Sequence, residues 1–192
     1  MEVMGFSFDF LDGVASDVAP RLLGCVLERE LDGAILRARI VETEAYDQTD
    51  VASHSYNGET PRTKVMFGPL GHLYVYFTYG MHYCCNIVVG PVGYGSAVLV
   101  RALEPIDGEE VMRTRRNKAG AEVSNGPAKL CQAFGIDKKL NGHDLRAAPL
   151  KLLSRPQVPP KSIVRTTRIG IAQGKNVPWR FYIRGNEYVS KI

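Results

Sequence analysis

The sequence predicts an α/β fold of the α+β kind. A single domain over residues 1–192 is expected to carry a curved, mainly antiparallel sheet, flanking short helices and a protruding β-hairpin. Three observations predict it. Runs rich in β-branched and aromatic residues outnumber helical patterns. These runs follow one another without regular crossover helices, which argues against a doubly wound parallel sheet. A chain of 192 residues with 45% hydrophobic and 23% charged residues can also bury one ordinary core without a disulfide or metal staple.

Asp17 to Gly24 reads as a short helix, with Asp17 as N-cap and Gly24 just past its end. Cys25–Glu30 and Ala34–Tyr46 read as strands joined at Asp32-Gly33, a strong hairpin signal. Asp47 to Lys64 is polar and turn-rich, a loop long enough to be functional. Leu73–Thr78 and His82–Val89 form a second expected hairpin with its tip at Tyr79-Gly80-Met81, and Ala97–Leu103 a buried strand. Asp107–Arg116 reads as a helix, acidic in its first turn and basic in its last, as the macrodipole favours. Pro127 opens another short helix that Gly135 closes. Ser154 to Lys161, with three prolines, is a connector, and Arg165–Ala172 and Arg180–Arg184 are the last expected strands.

Composition narrows the function classes. The tyrosine- and valine-rich stretch Leu73 to Val89 is interrupted by Gly80 and His82, so a transmembrane helix is not expected. Met1 to Asp12 carries Glu2, Asp9 and Asp12 and no basic residue, unlike a secretory or transit peptide. Cys25, Cys84, Cys85 and Cys131 lack CxxC spacing and are expected as reduced thiols in a cytoplasmic setting. Residues 1–100 hold 6 Lys+Arg against 12 Asp+Glu, and residues 101–192 hold 18 against 8. A basic half beside an acidic half suits a polyanion such as nucleic acid, or is an uneven solvated surface.

Three features could carry chemistry. In Val41-Glu42-Thr43-Glu44-Ala45-Tyr46, an unbroken strand puts Leu36, Ala38, Ile40, Glu42 and Glu44 on one face, so two carboxylates end an apolar stripe. Such a carboxylate can act as a base toward water. Equally, both can point to solvent or pair with arginines. Tyr74, Tyr76, Phe77, Tyr79 and Tyr83 cluster with His72 and His82. Aromatic faces stack on bases and attract cationic ones, although a tyrosine-rich core explains most of them as well. Tyr79, beside Gly80 at the hairpin tip, is placed to wedge between base pairs. His82 and Cys84 would share a strand face, but His54 and His72 have no motif tying them to that pair, so no metal site is expected.

The ordered series Val41-Glu42-Thr43-Glu44-Ala45-Tyr46, Ala52-Ser53-His54-Ser55, Thr60-Pro61-Arg62, Met66-Phe67 and Leu73-Tyr74-Val75-Tyr76 continues through the chain. It runs on with Tyr79-Gly80-Met81-His82, Asn86, Arg101-Ala102-Leu103-Glu104-Pro105, Asn125-Gly126-Pro127 and Arg180-Phe181-Tyr182. From about Asp12 onward this closely resembles the alkyladenine (3-methyladenine, methylpurine) DNA glycosylase family. The resemblance implies a monofunctional base-excision repair enzyme. It would flip alkylated or deaminated purines out of double-stranded DNA and hydrolyse the N-glycosidic bond with an activated water, leaving an abasic site. Glu44 matches the general base and Arg101 the polar residue that helps hold the water. Tyr46, His54 and Tyr76 match the walls around the flipped base, and Asn86 the residue that crowds a guanine 2-amino group. Tyr79 matches the intercalating residue. Glu42 has no role in that pattern. No cofactor, metal or membrane is implied, and a monomer in the cytoplasm, at the nucleoid, is expected. The turn Gly68-Pro69-Leu70-Gly71 has a bacterial look.

Other readings are a non-catalytic nucleic-acid-binding module, a metal-dependent hydrolase using His54, His72, His82 and Cys84, and a protein- or RNA-binding domain that keeps only the fold.

Overall fold

The computed structural model describes residues 7–154 and 156–190. The first six residues of the acidic start, and Arg155 in the proline-rich connector, lie outside that range. Eight strands form one antiparallel sheet: β1 (Val26–Leu31), β2 (Ala34–Asp47), β3 (Leu73–Thr78), β4 (His82–Val88), β5 (Ser96–Asp107), β6 (Leu150–Leu153), β7 (Ile163–Thr166) and β8 (Arg180–Ile183). Six of them run in the order β3-β4-β5-β2-β1-β6, and off this path β8 pairs with β2 and with β7. The 14-residue strand β2 is the spine. One edge pairs with β5; the other pairs with β1 over its first half and with β8 at Glu42 to Glu44.

Helices α1 (Ala15–Val18), α2 (Glu109–Arg116) and α3 (Pro127–Phe134) pack on one face of the sheet. Val18, Met112, Leu130 and Phe134 meet Leu36, Ala38, Ile40, Val75, Cys85, Ile87, Val98 and Val100 in the main core. The other face holds a smaller cluster of Met66, Phe67, Tyr74, Val88 and Ala97 beneath the loop that follows β2. The four cysteines are all buried, and none is paired in a disulfide.

Both hairpins form where turn chemistry places them. Asp32 and Gly33 take φ of 50° and 80°, the left-handed pair that a two-residue hairpin turn demands. Tyr79 and Gly80 take 52° and 67°. A left-handed tyrosine is rare, costing on the order of 1–3 kcal/mol, and such residues cluster at functional sites.

Several elements differ from expectation. The first helix begins at Ala15 and turns 3-10 over Ala19–Leu22, because Pro20 has no N–H to continue the α ladder. Asp17 therefore sits in the first turn and caps nothing. Strand β6, an alternating Leu-Lys-Leu run unforeseen from the sequence, pairs with the edge of β1. The segment expected as strand Arg165–Ala172 leaves the sheet after Thr166. Gly170 and Gly174 turn it with φ of 74° and 63°, and Arg168 is drawn inward to Asp50.

The largest correction concerns β2. Its register against β5 shifts between Ile40 and Glu42 and again between Glu42 and Thr43, leaving Val41 unpaired on β2 and Arg101 unpaired on β5. An extra residue in one strand inverts the alternation beyond it. Leu36, Ala38 and Ile40 face the main core, but so does Ala45, and the Thr43 hydroxyl donates to the Ala19 carbonyl beneath the helices. Glu42 and Glu44 thus leave the apolar stripe and point to the opposite face.

Candidate active site

That opposite face carries a row of paired residues across five strands. Tyr74 pairs with Asn86, Asn86 with Leu99, Leu99 with Glu44, and Glu44 with Arg180. Around it opens a cavity of about 500 Å3. Tyr46, His54, Tyr76, Tyr79, Asn86 and Arg101, drawn from β2, the following loop, the β3–β4 hairpin and β5, all line it. Glu44 does not. It is completely buried directly beneath, and it meets the cavity through Tyr46 and Arg101. The seven residues expected from the sequence therefore converge on one place.

The carboxylate is held from three sides. Its Oε1 accepts the Ile169 amide at 2.8 Å and faces Arg101 Nη1 at 3.2 Å; its Oε2 accepts the Tyr46 hydroxyl at 2.8 Å. A carboxylate oxygen takes about two hydrogen bonds, so Oε2 keeps capacity for one more donor. Burial works against the charge on Arg101, but Glu44 and Glu42 outweigh it and hold the guanidinium more firmly protonated than in water.

The walls are aromatic and neutral. His54 meets Tyr76 edge-on at 4.6 Å between centroids and shares a 3.0 Å hydrogen bond with the Tyr74 hydroxyl. Tyr74 and Tyr76 stack at 5.7 Å. Loss of water around the ring, then the charge of Arg62, holds the His54 imidazole below its ordinary range, so it is uncharged at neutral pH. Burial pushes Tyr46 and Tyr76 well above the usual tyrosine range, with Glu44 adding to the effect at Tyr46. Cys84, also on the wall, is pushed up to about 11 by burial and stays a thiol. Asn86 is buried and donates to the Tyr74 carbonyl at 3.3 Å, which fixes its amide at the cavity wall.

Sequence reasoning missed the fourth side. Ile169 to Gln173 line the cavity although the sequence reads as strand as far as Ala172. It is pinned by Arg168, whose guanidinium makes two contacts to Asp50, donates to the Ala45 carbonyl at 3.0 Å and lies 4.8 Å from the Tyr46 ring and 5.4 Å from Trp179. No local signal marks Arg168, because Asp50 and Ala45, which hold its guanidinium, lie more than a hundred residues away. Tyr79 stands 82% exposed at the hairpin tip beside the mouth. His72 instead pairs with Asp144 in an isolated bridge. Among the described residues, no three His, Cys, Asp or Glu side chains group in a way that could hold a metal ion. Nor is any described helix long and apolar enough to cross a membrane.

A family model described as methylpurine-DNA glycosylase matches residues 9–187. The chain is similar to proteins provisionally named 3-methyladenine DNA glycosylase in several organisms. It is 54% identical to that of Carboxydothermus hydrogenoformans over 176 residues, 91% of this chain and 92% of that one. It is 49% identical to that of Methanoculleus marisnigri over 178 residues, 91% and 92% of the two chains. With the Burkholderia lata protein the identity is 49% over 186 residues, 94% of this chain and 88% of that one.

Proposed function

The chain belongs to the methylpurine-DNA glycosylase family, and from that premise we propose that it flips damaged purines out of duplex DNA and hydrolyses their N-glycosidic bonds with a water activated by Glu44. As a family member it is a DNA glycosylase, a base-excision repair hydrolase for 3-methyladenine-type lesions. The observation that carries the finer reading is a fully buried carboxylate beneath an aromatic cavity of about 500 Å3, with an exposed tyrosine at its rim. That volume lies in the range of small-molecule pockets and leaves ample room for a purine.

A stacked base cannot be reached, so it must be extruded at a cost of a few kcal/mol. Tyr79 fills the vacated stack. Tyr46, His54 and Tyr76 take the base between electron-rich faces, which favour cationic alkylpurines. Keeping His54 uncharged removes a repulsion that such a base would otherwise meet.

The cavity walls support water as the nucleophile rather than a covalent intermediate with the protein. None of the described lining residues is a lysine, Cys84 stays protonated, and the tyrosines are less acidic than usual. A water entering from the cavity gives a proton to the free capacity of Glu44 Oε2, its oxygen bonds to the sugar C1′, and the C1′–N bond breaks with its electron pair leaving on the base. Glu44 and the neighbouring dipoles stabilise an oxocarbenium-like sugar. The enzyme works as a monomer in the cytoplasm. The test is base release from duplexes carrying 3-methyladenine, 7-methylguanine, hypoxanthine or ethenoadenine, with and without a strong chelator. Release unaffected by chelator is expected; binding without release would leave a non-catalytic binding module.

Asn86→Ser is expected to raise excision of undamaged guanine relative to adenine, because the fixed amide would clash with a 2-amino group. Comparing the two rates before and after substitution checks it, and no relative gain for guanine removes Asn86 from selectivity.

The basic half contributes less surface charge than its count suggests, since Arg101, Arg168 and Arg180 are buried in ion pairs. Lys118, Lys138, Lys139, Lys161, Lys175 and Arg184 are exposed. DNA binding is expected to weaken steeply with salt, each phosphate contact adding roughly −0.9 to the slope of log K against log salt. A flat titration would mean these residues face away from DNA.

A further inference from the structure

Behind Glu44 lies a second carboxylate to which no role attaches. Glu42 is completely buried, and its Oε1 accepts Arg101 Nε at 2.9 Å, Arg180 Nε at 2.6 Å and the Ser190 hydroxyl at 2.8 Å. Its Oε2 accepts the Ser190 amide at 2.7 Å. The Ser190 carbonyl accepts Arg180 Nη2 at 3.3 Å, so the segment after β8 is stitched into the same cluster. Two carboxylates and two guanidinium groups thus share one buried volume with their charges balanced. Arg101 is the link: its Nε serves Glu42 and its Nη1 faces Glu44. Being unpaired at the β5 bulge, Arg101 is aimed by these side-chain contacts rather than by the strand ladder.

We propose that Glu42 is a positioning residue for the hydrolysis, orienting Arg101 against Glu44 and offsetting Arg180 so that Glu44 keeps its strength as a base. This rests on the reading of Glu44 as the general base. The charged and titratable groups around Glu44 are few. Among the described residues they are Glu42 and Tyr46 on its own strand, Tyr76 on β3, Arg101 on β5, Arg180 paired with it on β8, and Arg168 beside the Tyr46 ring, which Asp50 neutralises. Of these, Arg101 and Arg180 are the cations whose balance depends on Glu42.

The sign follows. A general base works when deprotonated, so activity is lost as pH falls through its protonation. Removing the Glu42 charge leaves two cations facing one carboxylate, which favours the charged form of Glu44 and weakens it as a base. Removing Arg180 does the opposite.

Single-turnover base release against pH, from a duplex bearing one hypoxanthine, tests this on Glu42→Gln, Arg180→Gln and the double variant. Glu42→Gln should slow release about tenfold and move the acid limb to lower pH, with lesion-DNA affinity within about twofold of wild type. Arg180→Gln should move the limb to higher pH, and the double variant should return it toward wild type. If the unbalanced charge keeps Glu42→Gln from folding, the opposed shifts of Arg180→Gln and the double variant still decide. Limbs that stay at the wild-type position in every folded variant, whatever their melting temperatures, overturn the proposal. Glu44→Gln measured alongside separates the two readings. If it loses activity while the limbs stay fixed, Glu42 alone is wrong; if it stays active, the base assignment fails and this one with it.

Discussion

Glu44→Gln is expected to slow base release by about 10²–10⁴-fold while leaving lesion-DNA binding nearly intact. The amide has the shape of the carboxylate but cannot take a proton from water. The local structure should survive, because the amide oxygen can accept from Ile169 and Arg101 while the NH2 group donates to the Tyr46 hydroxyl, reversing the present bond. Arg101 loses one anion and keeps Glu42, so the buried cation is not abandoned. Binding should hold because Glu44 presents no surface to the cavity where the base stacks. Single-turnover release and equilibrium binding on the same duplex separate the two effects. A rate within about threefold of wild type, well short of the usual general-base loss, would move the role elsewhere, and Glu42 is the next carboxylate.

Tyr79→Ala is expected to weaken lesion-DNA binding by a factor of about 10–100, since stacking on an aromatic ring is worth roughly 1–3 kcal/mol and 1.4 kcal/mol is tenfold. The ring is 82% exposed, so its removal opens no cavity in the protein. It holds a left-handed backbone, and alanine inherits much of that strain. The melting temperature without DNA should therefore stay where it is. Lesions opposite unpaired bases should suffer less, because there is less stacking to replace. A protein that melts several degrees lower, yet flips normally when kept cold, would assign Tyr79 to the hairpin's stability instead.

How much of this could be read from the chain depends on the range of the forces involved. The hairpins at Asp32-Gly33 and Tyr79-Gly80-Met81, and the helix opened by Pro127, are set by turn and cap chemistry within a few residues, and they stand where expected. The face of Glu42 and Glu44 was not legible. Alternation assumes an unbroken ladder, and the bulges at Val41 and Arg101 arise from how two distant strands pair. Arg165 to Ala172 alternates well enough to look like a strand. Its departure is governed by the grip of Asp50 on Arg168, more than a hundred residues away in sequence. The site residues were legible only through the ordered motifs of the family. Spacing alone left Glu44 open between a base and an ion-pair partner, and in the structure it contacts Arg101 besides lying beneath the cavity. The ties of Glu42 to Arg180 and Ser190 leave no pattern in sequence, since Ser190 lies 148 residues from Glu42.

The most direct measurement is a crystal structure of the Glu44→Gln protein bound to a duplex with a single ethenoadenine. The damaged base is expected inside the cavity, stacked among Tyr46, His54 and Tyr76, with the Tyr79 ring in the gap it left and a water against the side chain at position 44. A base still stacked in the duplex, or a Tyr79 ring lying outside the helix, would contradict it.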